Sequence, residues 1–123
     1  MPERTDERLP KSSRLRKRSE FLAVQEGGTK AQAAHLVALA KPNGLGYRRL
    51  GVTVSSKVGG AVIRNRVKRR FRELFRRRRG LLPESVDLVL IGRNGAGQPH
   101  FEVIAQEFEQ VASALKSKMK RAT

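Results

Sequence analysis

Residues 50–69 read LGVTVSSKVGGAVIRNRVKR, and the stretch changes character midway. In its first part Leu50, Val52 and Val54 alternate with Gly51, Thr53 and Ser55, the period of a strand with one buried face. From residue 60 the period lengthens. Ile63, Val67, Phe71, Leu74 and Phe75 fall, at helical spacing, within an arc of about 120°, a stripe wide enough to dock on a sheet. A strand over 47–54 therefore passes into a helix over 60–79, and the chain is of the α+β class. Lys68, Arg72, Arg76, Arg69, Arg66, Arg77 and Arg70 cover most of the remaining circumference, with Asn65 among them. One face packs and the other is almost uniformly cationic. Arg78 projects back onto the apolar stripe, so the helix ends near it, before Gly80 and Pro83.

Outward from this unit, residues 34–40 (AHLVALA) form a strand antiparallel to 47–54, joined to it by a turn at Pro42-Asn43-Gly44. Val86–Ile91 (VDLVLI) is a nearly continuous apolar run and makes a central strand. A loop over Gly92–Pro99 leads to a last helix, Pro99 to Lys120, with Phe101, Ile104, Ala105, Phe108, Ala112, Leu115 and Met119 on one side. Near the start, Ser19 caps a short helix, Glu20 to Glu26, that ends at Gly27-Gly28. A short strand near Thr29–Ala31 has no periodicity to support it. Residues 1–13 read as a flexible polar arm, and residues 12–120 as a single domain.

The 123 residues carry 27 Lys plus Arg against 11 Asp plus Glu, a net charge of +16. The excess is local. Residues 27–82 hold 15 basic groups and one acid, whereas residues 83–123 hold five of each. Charge of this density works against a compact state unless a polyanion relieves it, so nucleic acid is the expected partner. The absence of Cys excludes a disulfide framework and thiolate metal sites, and the expected localisation is cytoplasmic. The first twenty residues contain no secretory signal, and the longest apolar stretch, Ala33–Ala40, is far too short to span a membrane. His35 and His100 have no acid or hydroxyl at a suggestive spacing, and Asp87 and Glu84 make no carboxylate pair or metal cluster. The chain alone does not read as an enzyme. Gly92-Arg93-Asn94-Gly95 has the letters of a KH loop but follows a strand instead of joining two helices. Phe21 is either core or a ring that stacks on an unpaired base, since it follows the basic run Arg14, Arg16, Lys17, Arg18.

The strand, the Lys57-Val-Gly-Gly-Ala-Val turn and the Arg64-Asn65-Arg66-Val-Lys68-Arg69 helix together resemble the protein subunit of bacterial ribonuclease P. The likeness extends to Arg14-Leu-Arg-Lys with Glu20-Phe21, and to Asp87-Leu-Val-Leu-Ile-Gly-Arg93, covering roughly residues 12–115. It implies a two-layer α-β-β-β-α-β-α sandwich of the kind shared with ribosomal domains, with a left-handed βαβ crossover. It further implies a ribonucleoprotein that removes the 5′ leader of precursor tRNA by Mg2+-dependent hydrolysis, with the catalytic groups on the RNA subunit and none on the protein. By position, Lys57, Arg64, Asn65, Arg66, Lys68, Arg69 and Arg72 would face that RNA, while Phe21, with Arg14, Arg16 and Lys17, would line the cleft for the single-stranded leader. The implied partners are the RNA subunit and precursor tRNA, with no membrane and no obligate protein partner. Two positions depart from the pattern: Gln25 stands where a second aromatic is common, and Gly60 where a polar residue is. A ribosomal protein, a general nucleic-acid chaperone and a stand-alone nuclease are the competing readings.

Overall fold

The apolar run that begins at Val86 has two faces to bury and two edges to pair, and the sheet forms around it. The computed structural model describes residues 11–122. In chain order these form α1 (Arg18–Gly27), β1 (Thr29–Gln32), β2 (Leu36–Pro42), β3 (Arg49–Val54), α2 (Ala61–Arg78), β4 (Val86–Gly92) and α3 (Phe101–Ala122). The four strands lie in the order β1-β2-β4-β3. β4 runs antiparallel to β2, with Leu39 opposite Val89, and parallel to β3, with Val52 opposite Leu90. The parallel neighbours β3 and β4 are joined through α2, which makes the βαβ unit.

This order corrects the turn expected at Pro42-Asn43-Gly44. β2 and β3 do run in opposite directions, but β4 lies between them and they share no ladder. β4 has apolar residues on both faces and needs a partner on each edge, whereas β3 alternates and suits the sheet margin. The Asn-Gly pair therefore serves a wider loop. Gly44 has a φ of +68°, but Asn43 donates its N–H to the Ser85 carbonyl at 2.9 Å and its side-chain oxygen accepts from Leu45 N–H at 2.9 Å. The doubtful strand near Thr29 is present as β1, antiparallel to β2. Its support comes from pairing and not from any pattern of its own.

Most of the core lies between one sheet face and the two long helices. Leu36, Ala38, Leu50, Leu88 and Leu90 meet Val67, Phe71, Leu74 and Phe75 of α2 and Ile104, Phe108 and Leu115 of α3. Phe71, Phe75 and Phe108 are fully buried. Each such side chain contributes about 1.5–3 kcal/mol by leaving water. Ile63 departs from the expected stripe: it is 37% exposed, because it lies one turn beyond the sheet. It packs instead on the loop after β4, where a side chain on Gly97 would stand 2.6 Å from its Cγ2. α2 ends at Arg78 as the stripe requires, and Arg78 turns away to pair with Glu109 at 3.2 Å.

α1 crosses the opposite face of the sheet over a smaller cluster of Leu15, Val24, Leu39 and Val89, with Phe21, Val37 and Ile91 half-buried at its margin. The helix begins at Arg18 and not after Ser19, because Glu20 reaches back to accept the backbone N–H groups of Arg16 and Lys17 at 3.0 and 3.1 Å. Of the arm expected over residues 1–13, the first ten lie outside the described residues. Lys11–Ser13 form a 3-10 turn, and the Leu15 N–H donates to the Leu50 carbonyl at 2.9 Å, so the chain entering α1 covers the free edge of β3.

Candidate nucleic-acid interface

The amphipathic pattern of α2 commits one side to the core and leaves its cations outside. Asn65, Arg66, Arg69 and Arg72 are exposed, and Lys68 and Arg64 are half-buried, the latter donating from Nε to the Gly59 carbonyl at 3.2 Å. Lys57 is exposed in the turn before the helix. Among the described residues none of Lys57, Arg64, Arg66, Lys68, Arg69 and Arg72 has a carboxylate partner. The helix's single acid, Glu73, is taken by Arg77 at 2.7 Å and Arg76 at 3.5 Å. A row of cations without carboxylate partners is chemically suited to phosphate. Gly60 precedes the first turn without a side-chain cap, and no acid sits in that turn, so the positive end of the helix is open beside Arg64 and Asn65.

A cleft lies on the other side of the sheet. Its walls are Arg16, Arg18, Phe21, Leu22 and Gln25 from α1 and its approach, its floor is Val52 and Thr53 of β3, and its volume is about 380 Å3. Phe21 packs closely on β3 because residue 51 is Gly; a Cβ there would stand 2.6 Å from both Cε2 and Cζ of the ring. The ring both packs on the strand and takes part in the cleft lining.

Of the four residues expected at the cleft, Phe21 and Arg16 come together there. Lys17 is exposed at the start of α1 and outside the lining, and Arg18 takes the wall position beside Arg16. Arg14 lies toward the basic helix. Partial desolvation, and then the Arg14 charge, hold the Arg72 guanidinium below its ordinary pKa. Arg14 thus stands within electrostatic range of Arg72, on the basic-helix side and outside the cleft lining.

The ribonuclease P family model matches residues 9–116. The chain belongs to the ribonuclease P protein family. It is 39% identical over 114 residues to the ribonuclease P protein component of Citrifermentans bemidjiense, covering 93% of this chain and 97% of that one. To the corresponding component of Thermotoga petrophila it is 40% identical over 105 residues, 85% and 83% of the two chains. The solved RNase P protein of Staphylococcus aureus superposes with a TM-score of 0.79 at 29% identity, covering 86% of this chain and 97% of that one; that of Thermotoga maritima gives 0.75 at 34%, covering 82% and 96%. The chain is thus a subunit of a tRNA-processing ribonuclease.

Two side-chain clusters of this ribonuclease P protein escaped the sequence reading. Asp87, buried at the start of β4, accepts both prongs of Arg49 at 2.8 and 2.7 Å and the Asn43 amide at 2.9 Å, and Arg49 also reaches Glu20 at 3.2 Å. Burial pushes the Asp87 carboxyl up, but the Arg49 and Asn43 hydrogen bonds outweigh it and hold the group below its ordinary value. Glu20 is held low as well, first by the Arg16 and Lys17 backbone N–H groups and then by Arg49. Hydrogen bonding to Asp87 in turn raises Arg49 against the effect of burial. The second cluster joins His35, ahead of β2, to buried Glu107 on α3, with the backbone N–H at 2.9 Å from Oε1 and Nδ1 at 2.6 Å from Oε2. The acid that the sequence did not offer His35 is 72 residues away along the chain. Among the described residues no group of three or more His, Asp or Glu stands close enough to hold a metal ion, and no helix is long and apolar enough to cross a membrane.

Proposed function

We propose that this chain binds the ribonuclease P RNA subunit through Lys57, Arg64, Asn65, Arg66, Lys68, Arg69 and Arg72, and that the cleft beside α1 holds the single-stranded 5′ leader of precursor tRNA. Leader removal is then carried out by the RNA subunit with Mg2+, in the cytoplasm. The observation that carries the reading is the cationic face of α2, on which Arg64, Arg66, Lys68, Arg69 and Arg72 have no carboxylate partner among the described residues, while the opposite face is committed to the core. It offers phosphate contacts that are indifferent to sequence, as a subunit serving many precursors needs. The cleft adds one aromatic surface and two guanidinium groups, a combination suited to an unpaired strand. Cations placed between two RNAs lower their mutual repulsion and so reduce the number of Mg2+ ions needed merely for screening.

Reconstitution tests both halves. The protein mixed with a ribonuclease P RNA is expected to support cleavage of precursor tRNA at Mg2+ concentrations where the RNA alone is inactive, and the protein without RNA is expected to cleave nothing. Cleavage by RNA-free protein would favour a stand-alone nuclease instead. Phe21→Ala is expected to weaken holoenzyme binding to precursor tRNA more than to mature tRNA. Equal losses would return Phe21 to a packing role alone.

A further inference from the structure

The cleft is built from two parts that are not adjacent in the chain, the sheet floor and the wall formed by α1 and residues 16–18. What joins them is polar. Asp87 is buried in β4 with only 13% of its side chain accessible, and it grips Arg49 of β3 with a two-pronged contact. The remaining prong of Arg49 crosses from the strand to Glu20 of α1 at 3.2 Å. Glu20 then accepts the backbone N–H groups of Arg16 and Lys17 through its other oxygen. A chain of charge-assisted bonds therefore runs from the centre of the sheet to the backbone of a cleft-wall cation, and its last side chain is the immediate neighbour of Phe21. The apolar contact beneath α1 is small by comparison, with Val24 the helix's one fully buried residue. Small apolar contacts tolerate sliding, and a planar guanidinium held at three points does not.

We infer that Arg49 is a positioning residue for leader binding: it spans Asp87 and Glu20 to fix α1 over the sheet, and so sets where Arg16 and the Phe21 ring stand in the cleft. Arg49 touches no RNA in this role. The inference rests on the leader reading of the cleft proposed above.

Arg49→Lys keeps the charge but cannot hold both carboxylates in the same geometry. In the reconstituted holoenzyme it is expected to reduce the preference for precursor over mature tRNA by about tenfold, within the roughly hundredfold loss that a misplacement of about 1 Å can cause. The loss is expected to appear in KM for substrates with a leader of several nucleotides, and to vanish for a leader of one nucleotide. Affinity for the RNA subunit is expected to stay as in the unsubstituted protein. Glu20→Gln, which keeps an acceptor for the backbone N–H groups and loses the charge that holds Arg49, is expected to act in the same direction, and it decides the matter alone if Arg49→Lys fails to fold. Equal losses for long and one-nucleotide leaders, or no loss in either variant, would overturn the positioning role. Phe21→Ala run alongside separates the two claims. If it lowers the preference and the Arg49 and Glu20 variants do not, only the positioning role falls; if it too leaves the preference intact, the leader reading falls and the positioning role with it.

Discussion

At Gly51 the backbone of β3 and the ring of Phe21 occupy space that any side chain would contest. The required contact of 2.6 Å for a Cβ is closer than carbon atoms approach, so Gly51→Ala must lift the ring from the strand. The ring also lines the cleft, which gives it room to move. The expected outcome is a loss of about 1–3 kcal/mol in stability, typical of overpacking, read by urea denaturation. A weaker preference for precursor over mature tRNA is expected with it. An unchanged urea midpoint would show that the ring does not rest on the strand. No reading of the sequence revealed this contact. Gly51 stood out only as the polar-side member of an alternating strand, and the reason for its lack of a side chain lies thirty residues away at Phe21.

The helix α2 performs two tasks on two faces, and they are separable. Phe71→Ala removes a fully buried ring from the middle of the stripe and is expected to cost about 3–5 kcal/mol. Arg66→Ala with Arg69→Ala removes two exposed cations without partners and is expected to leave stability within about 0.5 kcal/mol. Their effect belongs to binding. If roughly six phosphates are neutralised, log affinity for the RNA subunit falls against log salt with a slope of about −4 to −5, and the double substitution is expected to flatten it by about 1.5–2. A salt titration that is flat to begin with would remove the electrostatic account. This division was legible from residues 60–79 alone, since a period of 3.6 states which residues share a face. The strand neighbours were not legible: β2 and β3 have the pattern and the Asn-Gly sequence of a hairpin, yet β4, forty residues downstream, has the stronger need for both of their edges.

The excess of +16 sits on a fold in which Glu20, Glu73, Asp87, Glu107 and Glu109, five of the eight acids among the described residues, are engaged in ion pairs. Glu20 and Asp87 lie below their ordinary values of 4.5 and 3.8. A carboxylate depressed in the folded state stabilises fully above its unfolded pKa, and that contribution is lost as pH falls through the folded one. Stability is therefore expected to hold from neutral pH down to about 5 and to decline below the ordinary carboxylate range, with α1 loosening as Glu20 and Asp87 protonate. Asp87→Asn is expected to be less stable at pH 7 and to show a shallower acid decline; parallel declines in the two proteins would place the acid sensitivity elsewhere. The sequence by itself determined the α+β class, the amphipathic basic helix, the apolar central strand and the family motif, because each is written in local period or local spacing. Tertiary structure alone decided that β4 separates β2 from β3, that Arg49 joins Asp87 to Glu20, and that Glu107 meets His35. Periodicity encodes which face of an element is buried, but with 27 basic groups and 11 acids many ion pairings are chemically equivalent along the chain. Only the packing of distant elements chooses among them.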